Sequence, residues 1–306
     1  MSKHTSVMLD EVITGLNIKE NGVYVDATLG YAGHSSEILK RVKRGYLFAF
    51  DQDQKAIDYS SIKLNKIADN FQLIHANFKN LKAELNDKEI TAIDGICFDL
   101  GVSSPQLDEA ERGFSYHADA LLDMRMDQSK NYSAYDIVNN SSIEELTSII
   151  RNYGEEKYAF SIAKNIISAR VNQPIITTFE LVDIIKRSMP YKARENKHPA
   201  KKTFQAIRIA VNDELNILRD SLITAINMLK PGGRICVISF HSLEDRIVKR
   251  LFTELSTIDP IVKGLPNIPE EYQPILKLIS KHQPTNAEIE NNKRARSAVL
   301  RIAEKI

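Results

Sequence analysis

The chain has little of what marks several large classes of protein. There are two cysteines in 306 residues, Cys97 and Cys236, and both lie in apolar, strand-like runs. Such thiols suit core packing in a reducing compartment better than a disulfide. Neither Cys-x-x-Cys nor His-Glu-x-x-His occurs, which argues against a structural or catalytic zinc and predicts no metal site. No apolar run approaches membrane-spanning length, and the N-terminus has no apolar signal core. A cytoplasmic protein with no membrane partner is expected. Net charge is nearly absent as well: 41 basic against 40 acidic residues leave +1. A nucleic-acid partner would have to show itself in local clusters. Apolar residues, by contrast, make up 43%, too many for a disordered chain and enough for a large core. Internal repeats and low-complexity segments are missing too.

The chain is organised around Val23-Tyr24-Val25-Asp26-Ala27-Thr28-Leu29-Gly30-Tyr31-Ala32-Gly33-His34-Ser35. It reads as a buried strand, a turn with two glycines and a helix start near Ser35. Gly30 and Gly33 allow a sharp turn and close approach to a ligand. The helix start would aim free N–H groups at it.

Around this stretch the pattern alternates. A helical period covers residues 5–16, and the helix after the turn should run to Arg44, before Gly45. Strands follow at Tyr46–Phe50, Phe71–His75 and Ile93–Asp99, with helical stretches between, including 53–69. Strand–helix alternation predicts an α/β fold with a doubly wound parallel sheet. Ligands of such sheets sit beyond the carboxyl ends of the strands, where Asp26, Asp51, Asn77, Phe78 and Asp99 fall. The next strand, Arg234–Ser239, comes only after Lys230-Pro231-Gly232-Gly233. That gap is several times the roughly thirty residues of a βαβ unit. Residues 106–202 therefore read as an inserted helical domain, leaving 1–105 and 203–306 as a discontinuous sheet domain. Ser142-Ile143-Glu144-Glu145 and Thr177-Thr178-Phe179-Glu180 each open a helix as a capping box. One long helix should return to the sheet from Phe204 to Leu229. Residues 260–284 hold five of the ten prolines and read as a surface loop, and Ser297–Ile302 as a last strand.

A glycine turn alone is weak, and its spacing departs from Gly-x-Gly-x-x-Gly. Asp51 strengthens it, because a carboxylate ending the second strand can hydrogen-bond ribose hydroxyls. NAD and S-adenosylmethionine share that adenosine half and both fit. The bland alternative is that Asp51 caps the next helix. Asp99, heading Asp99-Leu100-Gly101-Val102-Ser103-Ser104-Pro105, can accept a hydrogen bond from an exocyclic amine and push density back to its nitrogen. Positioning should then carry most of the catalysis. Asp123 and Arg125 alternate in charge, which suits either a solvated helix face or a substrate loop. Ser242 and Asp245 suit helix caps, and His241 can face a target base. A Ser–His–Asp hydrolase is not supported, since no Gly-x-Ser-x-Gly occurs. Lys186, Arg187, Lys192, Arg194, Lys197, His198, Lys201, Lys202 and Arg208 cluster with Tyr191 and Phe204, as a phosphate-binding strip would. Lys293, Arg294, Arg296 and Arg301 make a second strip.

Several segments together resemble one family. They are Asp26 to Ser35, Asp99 to Asp108, Arg112-Gly113-Phe114-Ser115, Leu122-Asp123-Met124-Arg125-Met126-Asp127, Thr203 to Ile209, Ile238 to Arg246 and Arg294-Ala295-Arg296-Ser297-Ala298. In this order, over nearly the whole chain, they resemble the bacterial 16S ribosomal RNA (cytosine-N4)-methyltransferase family. The resemblance implies a Rossmann-like methyltransferase sheet with S-adenosyl-L-methionine as donor and S-adenosyl-L-homocysteine as product. It further implies N4-methylation of a cytidine in the decoding region, within the small ribosomal subunit; a homodimer is compatible with it. Ala32, Gly33, His34, Asp51, Phe78, Asp99 and Gln106 would line the donor site, with Asp26 and Gly30 beside them. Asp123, Arg125, Lys201, Lys202 and His241 would serve the RNA. Two departures stand out: Ala32 replaces a second glycine, and Ala120-Leu121 replaces Gly-Pro. The rivals are a non-catalytic RNA-binding assembly factor, an NAD dehydrogenase and a DNA amino-methyltransferase, whose Asp/Asn/Ser-Pro-Pro-aromatic signature is missing.

Overall fold

The structure, a computed structural model, describes residues 6–194, 198–258, 260–262 and 264–306. Lys197 of the basic run lies outside the described residues. In chain order the elements are α1 (Leu9–Leu16), β1 (Val23–Asp26), α2 (Gly33–Leu39), β2 (Tyr46–Asp51), α3 (Gln54–Leu64), β3 (Phe71–His75), α4 (Leu81–Asn86) and β4 (Ile93–Asp99). Then come α5 (Ser104–Asp108), α6 (Ala134–Asn140), α7 (Ile143–Gly154), α8 (Ala159–Arg170), α9 (Thr178–Arg187) and α10 (Lys201–Asn212). The chain closes with α11 (Glu214–Met228), β5 (Leu229–Ser239), α12 (Ser242–Leu255), β6 (Leu276–His282), α13 (Asn286–Asn291) and β7 (Val299–Lys305). Two compact units result, one of Met1–Gly101 with Leu215–Ile306, the other Val102–Glu214.

The first unit holds a seven-stranded sheet in the order β3-β2-β1-β4-β5-β7-β6. β1 to β5 run parallel, and β7 lies antiparallel between β5 and β6. Strand order reverses between β1 and β4, the switch point where Rossmann-like sheets leave a crevice. Both sheet faces are covered, so the strands read as continuous apolar runs. Ile96 and Phe98 pack with Phe50 and Val237 in one core cluster. Cys97 and Cys236, opposite each other in register, pack with Tyr24, Leu47 and Ala49 in another. Both thiols are free and buried.

The second unit is helical, built on a core that includes Ile137, Ile150, Ile162, Leu181, Ile185 and Ile207. Ser133, Ser142 and Thr177 each start a helix as a reciprocal capping box, two of them as expected. Each satisfies two N–H groups that a helix start leaves without partners.

Four expectations change. The helix after the glycine turn ends at Leu39, not Arg44. The long helix over 204–229 is two helices, broken at Asp213, whose φ is 56°. Apolar periodicity ran through the break because both helices are amphipathic; aspartate is among the few residues that tolerate this conformation. The loop over 260–284 contains β6, since the prolines at 274 and 284 flank that strand and none falls inside it. Finally, β5 begins at Leu229, ahead of the Pro231-Gly232-Gly233 turn, with a register shift between Ile93 and Gly95.

Candidate active site

The carboxyl ends of β1, β2 and β4 bring Asp26, Asp51 and Asp99 to one edge of the first unit. Asp26 is 1% exposed. It accepts from Thr28 N at 3.2 Å and from Ser35 Oγ at 2.6 Å, fastening β1 to α2. Asp51 is fastened as well, taking Gly30 N at 2.8 Å on one oxygen and Asp53 N at 2.9 Å on the other. The helix cap after β2 is Asp53, which accepts from Lys55 N. Asp51 is therefore not that cap; it ties the second strand to the glycine turn. Burial pushes its pKa up to about 6, opposed by those two N–H donors and reinforced by Asp53 and Asp26.

The two glycines of the turn do different work. Gly30 has φ +48°, and a Cβ there would meet nothing nearer than Thr28 O at 4.0 Å. It is open ground. Gly33 is closed: a Cβ would fall 1.6 Å from Ser6 Oγ. Its bareness on that side admits Ser6 of the N-terminal segment. Ala32, between them, is buried with φ 53°, the left-handed region that glycine occupies at no steric cost. Ser60 Oγ and Lys63 Nζ hold the turn's outer carbonyls, of Gly30 and Tyr31, at 2.9 and 2.8 Å.

Asp99 ends β4. Its backbone N–H donates to Thr28 Oγ1 at 2.6 Å. Its carboxylate is held loosely: Oδ2 lies 3.8 Å from His34 Nδ1, beyond hydrogen-bond range. Oδ1 is buried and has no hydrogen-bond partner among the described residues. Burial raises the Asp99 pKa to about 6; the nearby His34 pulls it down, while Asp26 and Glu244 push it up. His34 itself is 4% exposed, with Nε2 3.1 Å from Val7 O. Its ring is thus engaged with the same N-terminal segment that fills the niche at Gly33. Phe78 follows β3 in a short 3₁₀ turn, Phe78–Asn80, and packs edge-on to Phe98 at 5.6 Å.

His241 is the N-cap of α12, a place expected for Ser242 or Asp245. Its Nδ1 accepts from Glu244 N at 3.4 Å, and the buried Glu244 carboxylate takes Phe240 N and His241 N at 2.8 and 3.2 Å. Asp245 instead makes a two-pronged pair with Arg301, at 2.8 and 3.0 Å, which draws Arg301 out of the second basic strip. Thr28, Ser60, Lys63 and Glu244 were not singled out from the sequence. Only contacts across the fold reveal them; the one signal was Glu244 standing three residues after a possible N-cap.

The remaining predicted residues belong to the second unit. Gln106 completes a capping box with Ser103, accepting from Ser103 N at 3.0 Å. Asp123 and Arg125 pair with each other in a fork, at 2.8 and 2.7 Å. Burial raises the Asp123 pKa, but the guanidinium outweighs it and holds the carboxyl below its usual range. Their segment is not a helix: Leu122, Met124 and Met126 are buried while Asp123 and Arg125 between them are half-buried. Lys201 is exposed, whereas Lys202 donates to Glu155 O at 2.7 Å beyond the end of α7. Arg194 binds Met189 O, and Arg208 forks onto Glu214. Phe204 is 3% exposed and is core, while Tyr191 is 74% exposed. The basic run is therefore less available than its sequence suggests. Among the described residues no His/Cys/Asp/Glu group could hold a metal ion, and no helix is long and apolar enough to cross a membrane.

A ribosomal RNA small subunit methyltransferase H of Exiguobacterium sibiricum is 52% identical over 309 residues, spanning 100% of this chain and 99% of its own. Solved structures are more remote. An rRNA methylase from Streptococcus thermophilus aligns with TM-score 0.41 and 14% identity, over 97% of this chain and 93% of its own. A SAM-dependent O-methyltransferase from Thermotoga maritima aligns with TM-score 0.44 and 9% identity, over 100% and 68%. The profile of the MraW methylase family matches residues 1–306. With that match and the 52% relative, the chain belongs to the MraW methylase family.

Proposed function

We propose that the chain transfers a methyl group from S-adenosyl-L-methionine to the exocyclic N4 of a cytidine in 16S ribosomal RNA. The nucleoside would lie in the decoding region of the small ribosomal subunit, and the work would be cytoplasmic. The observation that carries this reading is Asp99 Oδ1, a buried carboxylate oxygen at the end of β4 with no hydrogen-bond partner among the described residues, in a methylase. An unpaired buried acceptor is costly unless a ligand completes it. An amino N–H is the donor it lacks. The name of the 52% identical relative supports ribosomal RNA as acceptor.

The residues fit the donor. The space in front of Gly30 is clear to 4.0 Å, as a bound group against the backbone requires. Asp51, with one bond on each oxygen, keeps lone pairs for ribose hydroxyls. When bound, S-adenosyl-L-methionine supplies a methyl group made electrophilic by its sulfonium.

The chain's own part is to make a poor nucleophile present its lone pair. The amine of cytosine is delocalised into the ring. Accepting one N4 proton at Asp99 Oδ1 localises density on nitrogen and fixes its direction. Thr28 Oγ1, holding the Asp99 N–H at 2.6 Å, keeps that carboxylate in place. With a pKa of about 6, Asp99 is ionised at neutral pH and close enough in affinity to share the proton as the bond to carbon forms.

The test is Asp99→Ala with two readouts. Methyl transfer to small subunits should be lost while calorimetry shows donor affinity within a few-fold of wild type. Comparable turnover in the variant removes Asp99 from the mechanism. Donor binding without any turnover by the wild-type chain would instead favour a non-catalytic assembly factor.

A further inference from the structure

We propose that Tyr116, His117 and His198 form a stacking platform for an unpaired base of the RNA substrate, beside a phosphate contact at Lys186. The inference rests on the reading above that the substrate is RNA, and it adds a site in the second unit. Tyr116 and His198 lie nearly parallel, with ring centroids 4.4 Å apart and planes at 19°. Phe204, buried beneath, meets Tyr116 edge-on at 5.6 Å and fixes its orientation. His117 is exposed, 4.5 Å from the Tyr116 ring and 5.3 Å from His198.

Three rings held this way at a surface need a reason, because stacking among themselves leaves faces and edges to water. His198 Nδ1 accepts from Ala200 N at 3.3 Å, so the ring proton sits on Nε2. Burial, His117 and Lys186 all lower the His198 pKa, which keeps the ring neutral at pH 7. No carboxylate among the described residues pairs with either imidazole. Lys186 is close enough to act on His198, and its pair with Asp183, at 3.6 Å with both side chains exposed, is of the weak kind.

An aromatic face with fixed rings, imidazole donors and a neighbouring cation matches a nucleotide: the base stacks, the phosphate meets the cation. A protein partner would instead prefer a broader apolar surface than these rings offer. Because Phe204 already holds the stack, little ordering is left to oppose binding.

The test measures binding of small ribosomal subunits to three variants, with donor affinity by calorimetry as control. His117 is exposed, so His117→Ala should fold normally. It should weaken subunit binding roughly tenfold and raise KM with kcat little changed, while His117→Phe restores binding. Lys186→Ala should reduce the salt slope by about one. His117→Ala binding like wild type, or His117→Phe as weak as His117→Ala, overturns the platform. If the wild type methylates subunits while His117→Ala is unaffected, the platform alone fails. Wild type that neither binds nor methylates subunits overturns the RNA reading together with it.

Discussion

At the scale of single residues, the strand-end carboxylates separate by what they touch. Asp51 has two backbone donors; Asp99 Oδ1 has none among the described residues. Both titrate near 6 when folded, from a reference of 3.8. The folded chain therefore binds more protons than the unfolded one between those values. Stability falls as pH rises through that window, and the penalty is fully present above it. Asp99→Asn should remove the penalty without breaking a bond to Oδ1. It should raise stability at pH 7.5 by roughly 1–2 kcal/mol, read by urea denaturation, and the gain should vanish near pH 4. Asp51→Asn should gain less than Asp99→Asn, because relief of the same penalty is offset by about 1–2 kcal/mol when an amide cannot accept both N–H groups without turning its own N–H₂ on one of them. In the working enzyme the same titration predicts that kcat/KM falls about tenfold per pH unit below 6 as Asp99 takes up a proton. A flat profile from pH 5 to 7.5 contradicts its role. Ala32, at φ 53°, offers a further check: Ala32→Gly should be neutral or stabilising by up to about 1 kcal/mol in thermal denaturation.

At the scale of elements, one buried amide ties the substrate-loop candidate to its helix. Asn212 Oδ1 accepts from Met126 N at 2.8 Å, and its Nδ2 donates to Met124 O at 2.8 Å and Arg208 O at 2.9 Å. Asn212→Ala should cost about 2–4 kcal/mol in denaturant unfolding, since it strands buried backbone groups on the 122–127 segment. A loss under 1 kcal/mol would mean that water replaces the amide. The helix starts were legible because a capping box is local: Ser142 and Thr177 announce themselves with Glu145 and Glu180. The strands β1 to β4 were legible because burial on both faces leaves unbroken apolar runs between turn residues. The break at Asp213 was not, because a single left-handed residue leaves the apolar period intact on either side. Nor was β6, whose flanking prolines outweighed its own short pattern. At the site, Asp26, Asp51 and Asp99 were legible as strand ends. The occupancy of the Gly33 niche by Ser6 was not, because it joins two segments no motif links, and the same holds for the pairing of Arg301 with Asp245.

At the scale of the whole molecule, a chain of nearly zero net charge has no general attraction for RNA. Specific binding must come from few contacts, and the structure withdraws several basic residues from the count: Lys202, Arg194, Arg208 and Arg301 serve backbone or carboxylate partners. Subunit binding should accordingly show a shallow salt dependence for an RNA-binding protein of this size, with few counterions released. The central claim, however, concerns the atom that is methylated, and one measurement reaches it most directly. Purified protein is incubated with isotopically labelled S-adenosyl-L-methionine and small ribosomal subunits, and the labelled nucleoside is identified by mass spectrometry after digestion. The account predicts label on N4 of cytidine with wild-type protein and none with Asp99→Ala. Label on a ring carbon, on a ribose hydroxyl or on a purine would contradict it.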